Sequence, residues 1–201
     1  MAAQARALDV TRQEDWTALG DWVGARWGRL DIMVNCAGIA RFDRVDEAIM
    51  ETFREVFAVN VDGVVMGMAM ALGFMRPAGK GAIVNVSSTA SLKGNPAMAS
   101  YGASKAAVAH FNRSAALEVN RAGLDVRINA VMPGFTDTAM ADEVHQRFDD
   151  KLGGREATMK VFSSGRSARP EEIADLIVYL ASDRASFISG SVIAIDRAQS
   201  A

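Results

Sequence analysis

A chain of 201 residues, half of them apolar, can bury a sizeable core, and one domain is the default at this length. Its 22 basic side chains nearly balance 24 acidic ones, so no basic field exists to attract nucleic acid or an anionic membrane surface. Apolar runs such as Val64 to Phe74 are too short and too rich in Gly and Ala to span a bilayer, and Met1 to Leu8 lacks the hydrophobic region of a signal peptide, so a soluble, cytoplasmic chain with no membrane partner is expected.

Short apolar runs alternate with longer amphipathic stretches, uninterrupted by repeats or linkers. That alternation predicts an α/β fold with a parallel sheet and crossover helices. The first candidate strand is Ala7 to Val10. Thr11, with Glu14 three residues on, has capping-box spacing and starts a helix that runs to about Trp27. Asp31 to Asn35 is the next strand. The only cysteine, Cys36, lies in the apolar stretch Ile32 to Ile39 and reads as a small core residue rather than a nucleophile. A second helical pattern covers roughly Asp46 to Met75, and the strand Ala82 to Val86 follows it. The third helix spans Ser100 to Arg121 and ends near Gly123, leading to the strand Val126 to Val131. Gly134 to Arg169 is polar and weak in pattern, which suits a mobile substrate loop or a plain surface loop. A fourth helix follows Pro170, with Glu171 and Glu172 where acids complement the helix dipole, and Ser191 to Ile195 is the last strand.

Tyr101 and Lys105 are four residues apart near the start of a helix, so both project from one face toward the same small volume. That spacing alone usually marks ordinary helix surface. Ser87 and Ser88, however, fall where Ala82 to Val86 ends, and the carboxyl ends of parallel strands are where such sheets place ligands. The strand before it ends in Asn35-Cys36-Ala37-Gly38 and the one after it in Pro133-Gly134, so three strands deliver small or polar residues to one crevice. His110 and His145 have no second ligand at metal spacing, and no metal site is expected. The eleven Met residues suit core and helix interfaces, with Met140 and Met159 as candidate contacts of the substrate loop.

From Leu8 to Asp196 the chain resembles the short-chain dehydrogenase/reductase family, with the matches in the family's order. Asp9-Val10 looks like its adenine-pocket pair, and Asn35-Cys36-Ala37-Gly38 is similar to its NNAG motif with Cys for the second Asn. Asn60 matches its catalytic asparagine, and Ser88, Tyr101 and Lys105 fall on its Ser, Tyr and Lys. Pro133-Gly134-Phe135-Thr136-Asp137-Thr138 resembles the segment that holds the nicotinamide carboxamide. The resemblance implies a doubly wound, Rossmann-like sheet, NAD or NADP as cofactor, and oxidoreduction of a secondary alcohol or ketone. It gives Tyr101 the role of general acid/base, and Lys105 those of tuner and cofactor ligand. Ser88 positions the substrate, and Asn60 holds a water in the proton relay. The ammonium of Lys105 and the oxidised nicotinamide are expected to draw the Tyr101 pKa down from about 10 toward working pH. The helices by which members pair imply a homo-oligomer, a tetramer or a dimer.

The family's glycine-rich turn TGxxxGxG is missing from this sequence. Gly63-Val64-Val65-Met66-Gly67 has no strand before it, and Gly20, Gly24 and Gly28 lie along a predicted helix, so neither replaces it. The resemblance therefore implies that the family's first two strands and their helices are absent, leaving Asp31 to Asn35 with an unpaired apolar edge unless Ala7 to Val10 moves over to pair with it. Asp196-Arg197-Ala198 stands where the family commonly has Asp-Gly-Gly, and Arg tolerates positive φ poorly. Asp9-Val10-Thr11 with Glu14-Asp15-Trp16, and the stretch from Pro133 to Met140, look most like hydroxysteroid and cyclic-alcohol enzymes. The rival reading is a non-enzymatic fragment or isoform that oligomerises without binding cofactor.

Overall fold

The computed structural model describes residues 3–47, 50–95, 98–142 and 165–201. His145, Met159 and most of the predicted substrate loop lie outside the described residues. Four parallel strands, β1 (Ile32–Asn35), β2 (Lys80–Val86), β3 (Asp125–Pro133) and β4 (Val192–Ile195), form one sheet in that spatial order. The helices are α1 (Gln13–Trp27), α2 (Met50–Phe57), α3 (Gly63–Ala78), α4 (Ala99–Arg121) and α5 (Pro170–Ala181).

Successive residues of a strand face opposite sides, and the apolar runs of β2 and β3 supply both. Ile83, Val126 and Ile128 pack with Val64, Met68, Ala71 and Met75 of α3 and Val108, Ala116 and Val119 of α4. On the other face Val84 and Val131 meet Ile173 and Leu180 of α5. Met50–Ala78 is long and apolar enough to cross a membrane by length and composition. In this fold it supplies core, since the α3 residues just named lie in the first of these clusters. Gly20 and Gly24 bring α1 close to α3, where added Cβ atoms would stand 3.4 Å from Met70 and 3.7 Å from Phe74.

Three local expectations need correction. Ala7 to Val10 is not a strand; it has no neighbouring strand to pair with, and Val10 packs on Gly63 instead. Thr11 does not cap α1, whose N-cap position is Arg12 with no side-chain hydrogen bond. Its amide and hydroxyl donate to the Asp9 carboxylate, while the Asp9 amide donates to Asp15, so the acids take the capping partners. Cys36 is exposed, because it stands one residue past β1 in the outer loop.

The expected open edge is present. Ile32 and Val34 of β1 are 49% and 39% exposed, and among the described residues β1 pairs with β2 alone. At the other end of the chain Arg197 and Ala198 do take positive φ, 50° and 66°. The Asp196 carboxylate holds that turn by accepting the amides of Ala198 and Ser200.

Candidate functional site

The second predicted helix is two helices joined by a π-helical turn, Ala58–Asp62, with Asn60 at its centre. Such turns widen the backbone spiral and occur often at functional positions. Here the turn delivers Asn60, fully buried, to the loop after β1. Its Oδ1 accepts from the Ile39 amide at 2.8 Å, and its Nδ2 donates to the Ile39 carbonyl at 2.9 Å and to Ser104 Oγ at 3.0 Å. The side chain thus bonds a distant loop and α4 rather than its own helix. The Ser104 hydroxyl donates in turn to the Tyr101 carbonyl at 2.7 Å.

Lys105 and Tyr101 occupy the first two turns of α4, as the spacing predicts. Lys105 is 3% exposed, and its Nζ donates to the Val86 carbonyl at 2.9 Å. The ammonium stands 5.8 Å from the centre of the Tyr101 ring. Burial pushes its pKa down from 10.5 to about 8, against a smaller opposing influence of Cys36. Tyr101 moves the other way from the sequence expectation. Burial raises its phenol above the ordinary value of about 10, and the Ser88 hydrogen bond only partly offsets that.

Ser88, two residues past β2, caps a short 3-10 turn, accepting from the Ala90 amide at 3.1 Å while its side chain meets the Tyr101 phenol. Ser87 hydrogen-bonds the Lys105 carbonyl at 2.8 Å, a tie between strand and helix that the sequence reading did not single out. Gly38 completes the cluster. A Cβ there would stand 3.2 Å from Lys105 Nζ and 3.3 Å from Asn60 Oδ1, so only Gly leaves the space beside both open. Ser88, Tyr101, Lys105, Asn60 and Gly38 therefore converge.

The remaining predicted residues fall into four groups. Asn35 points into the core, donating to Asn85 at 2.8 Å and facing Gly67 of α3. Asn85 in turn donates to Asn112 at 3.0 Å, and Asn112 to the Ser191 carbonyl at 3.3 Å. Ala37 is exposed beside Gly38. Asp9 and Val10 lie at the start of α1, where the Thr11 hydroxyl and amide hold the Asp9 carboxyl below its ordinary pKa. Pro133 and Gly134 continue β3 past the Ser88 turn, whose Thr89 hydroxyl reaches the Pro133 carbonyl at 3.3 Å. Thr136 hydrogen-bonds the Gly134 carbonyl, and Thr138 accepts from the Ala141 amide. Gln199 covers Gly134 and accepts from the Phe135 amide at 3.3 Å.

The residues that could hold the nicotinamide end of a dinucleotide are Lys105 and Asn60, which a side chain on Gly38 would crowd, together with the Pro133 to Thr138 turn at the same sheet end. Among the described residues no glycine-rich strand-to-helix turn is placed to receive the pyrophosphate.

A family model described as enoyl-(acyl carrier protein) reductase matches residues 1–197. The chain is 36% identical over 94% of its length to 74% of a 3-oxoacyl-(acyl-carrier-protein) reductase of Thermotoga maritima. It is 38% identical to a cyclopentanol dehydrogenase of Comamonas sp., covering 94% of this chain and 73% of that protein. It is also 35% identical to a 3-alpha-(or 20-beta)-hydroxysteroid dehydrogenase of Mycobacterium tuberculosis, covering 97% and 70%. Among solved structures, levodione reductase superposes with a TM-score of 0.91 at 30% identity, covering 97% of this chain and 76% of that one. ElxO with NADP bound superposes with a TM-score of 0.85 at 32% identity, covering 96% and 76%.

Proposed function

The chain belongs to the short-chain dehydrogenase/reductase family, and from that premise we propose that it interconverts a secondary alcohol and a ketone with Tyr101 as the acid/base. It is an oxidoreductase of the NAD(P)-dependent kind. When bound, the cofactor supplies the hydride acceptor or donor. The observation that carries the reading is the convergence of Ser88, from the turn just after β2, with Tyr101 and Lys105 from the first turns of α4.

In this reading the Tyr101 phenol gives or takes the proton of the substrate oxygen, and Ser88 holds that oxygen beside it. Lys105, held on the Val86 carbonyl, keeps the ribose side of the site in place and favours the phenolate through its charge. Asn60 fixes the Ile39 backbone and keeps the space by Lys105 open for a water that connects it to solvent.

The substrate class we propose is a cyclic alcohol or ketone, hydroxysteroids included. Support comes from the stretch Pro133 to Met140 and from the names of two relatives, the cyclopentanol and hydroxysteroid dehydrogenases. A panel of cyclic ketones and steroids tests it, and exclusive activity on acyl thioesters or sugars removes it. We further propose a cytoplasmic homo-oligomer, tetramer or dimer, pairing through apolar side chains that α2 and α4 leave exposed, among them Met50, Phe53, Phe111 and Leu117. Sedimentation as a monomer at micromolar concentration counts against that assembly.

The decisive experiment is Tyr101→Phe in a form that binds cofactor. Turnover falls by several orders of magnitude while cofactor affinity stays nearly unchanged, since the change removes a proton and little volume. Lys105→Met lowers both. Near-normal turnover in the Phe variant overturns the assignment.

A further inference from the structure

The loop from Cys36 to Arg44 is fastened at both ends. Near its start, Asn60 holds the Ile39 amide and carbonyl. Near its end, Asp43 forms a parallel bridge with Met98 and reaches the first turn of α4. One carboxylate there takes three contacts: the Ser100 amide at 3.0 and 3.3 Å from its two oxygens, and the Ser100 hydroxyl.

The geometry matters because α4 lacks a local cap. Met98, at the N-cap position, makes no side-chain capping hydrogen bond. The first amides of a helix have no partner inside it, and an anion there also meets the positive end of the helix dipole. Ser100 is 4% exposed, so without Asp43 its amide and hydroxyl would be buried with donors unmet. The next residue is Tyr101.

We propose that Asp43 is a positioning residue for Tyr101: a cap supplied from 57 residues away that fixes the first turn of α4 and with it the phenol beside Ser88. The proposal rests on the reading of Tyr101 as acid/base given above. It also joins two parts of the site, since one loop carries both Gly38, against Lys105, and the Asp43 cap.

The test uses the purified chain and needs no turnover. Backbone hydrogen exchange is followed separately for residues 99–103 and for the body of α4, and the Tyr101 phenol is titrated by its ultraviolet phenolate band. Only two tyrosines are present, so Tyr179→Phe leaves Tyr101 as the sole signal. In Asp43→Ala we expect exchange of the first turn to rise at least tenfold while residues 107–119 stay within twofold. The titration midpoint falls toward that of an ordinary phenol as burial is lost. Asp43→Asn, which keeps one acceptor oxygen for the Ser100 amide and can donate to its hydroxyl, restores both values to near wild type.

Uniform change along α4, or an unchanged first turn, overturns the proposal. An Asn variant that behaves like the Ala variant also overturns it, because the carboxylate would then be acting by charge rather than by holding the turn. If Asp43→Ala does not fold, Ser100→Ala takes its place, with the same localised rise expected and a double variant, Asp43→Asn with Ser100→Ala, no worse than the single one. Retained turnover in Tyr101→Phe would sink the acid/base role without touching these readouts, so the two failures are separable.

Discussion

Lys105 is a cation held in the interior without a carboxylate beside it in its hydrogen bonds, and its cost depends on pH. Its pKa of about 8 in the fold lies below the ordinary 10.5, so the unfolded chain binds more protons than the folded one between those values. Stability therefore rises as pH climbs from about 8 to about 10.5, and the full penalty is present below 8. A shift of this size corresponds to about 3 kcal/mol, less what the bond to the Val86 carbonyl returns. Lys105→Met is accordingly expected to raise the unfolding free energy at pH 7 by about 1–3 kcal/mol, with the gain vanishing near pH 10.5. Denaturant melts at the two pH values check it; equal effects at both would show that the charge is not what costs stability. The residue proposed to support catalysis is thus a liability to the fold.

At the scale of elements, the ends of helices decide much of the geometry. Arg127 of β3 is 8% exposed, and its guanidinium donates to the carbonyls of Leu180, Ala181, Ser182 and Ala185. It neutralises the negative end of α5 and satisfies carbonyls that the helix leaves open. Arg127→Leu is expected to destabilise the chain by about 2–4 kcal/mol, with exchange fastest at the end of α5, as chemical denaturation and hydrogen exchange would report. The same principle explains what was legible in the sequence. Helix spacing and a strand end put Tyr101, Lys105 and Ser88 near one another, but it is the resemblance to a known family that singles them out, and Gly123 marks the end of α4 by a positive φ that favours glycine. The π turn at Asn60 was not legible, since its i to i+5 bonding leaves no distinct apolar period. Nor was Asp43, whose partner is 57 residues away in the chain. Ala7 to Val10 failed as a strand because a strand is made by its neighbour as much as by its own residues.

For the whole molecule, the arrangement of the sheet governs both cofactor binding and solubility. In the reading proposed above, Gly38, Lys105 and the Pro133 to Thr138 turn would meet the nicotinamide half, while among the described residues no helix N-terminus follows a glycine-rich turn to receive the pyrophosphate. The 201-residue chain is therefore expected to bind NAD(H) and NADP(H) far more weakly than micromolar. Calorimetric titration decides it, and micromolar binding of either would mean that phosphate recognition is built differently here. The bare edge of β1, with Ile32 and Val34 outward, adds a tendency to associate.

The chain of amides from Asn35 through Asn85 to Asn112 has a direction, each donating to the next and the last to the Ser191 carbonyl near β4. Its members share one account: replacing any of them orphans a buried partner, so a second replacement in the same chain costs less than the first. The chain thereby couples β1, β2, α4 and the approach to β4. Change enters this polar spine with difficulty at any single position and more easily by coordinated steps, which makes it a source of epistasis reaching from the outer strand across to the other end of the sheet.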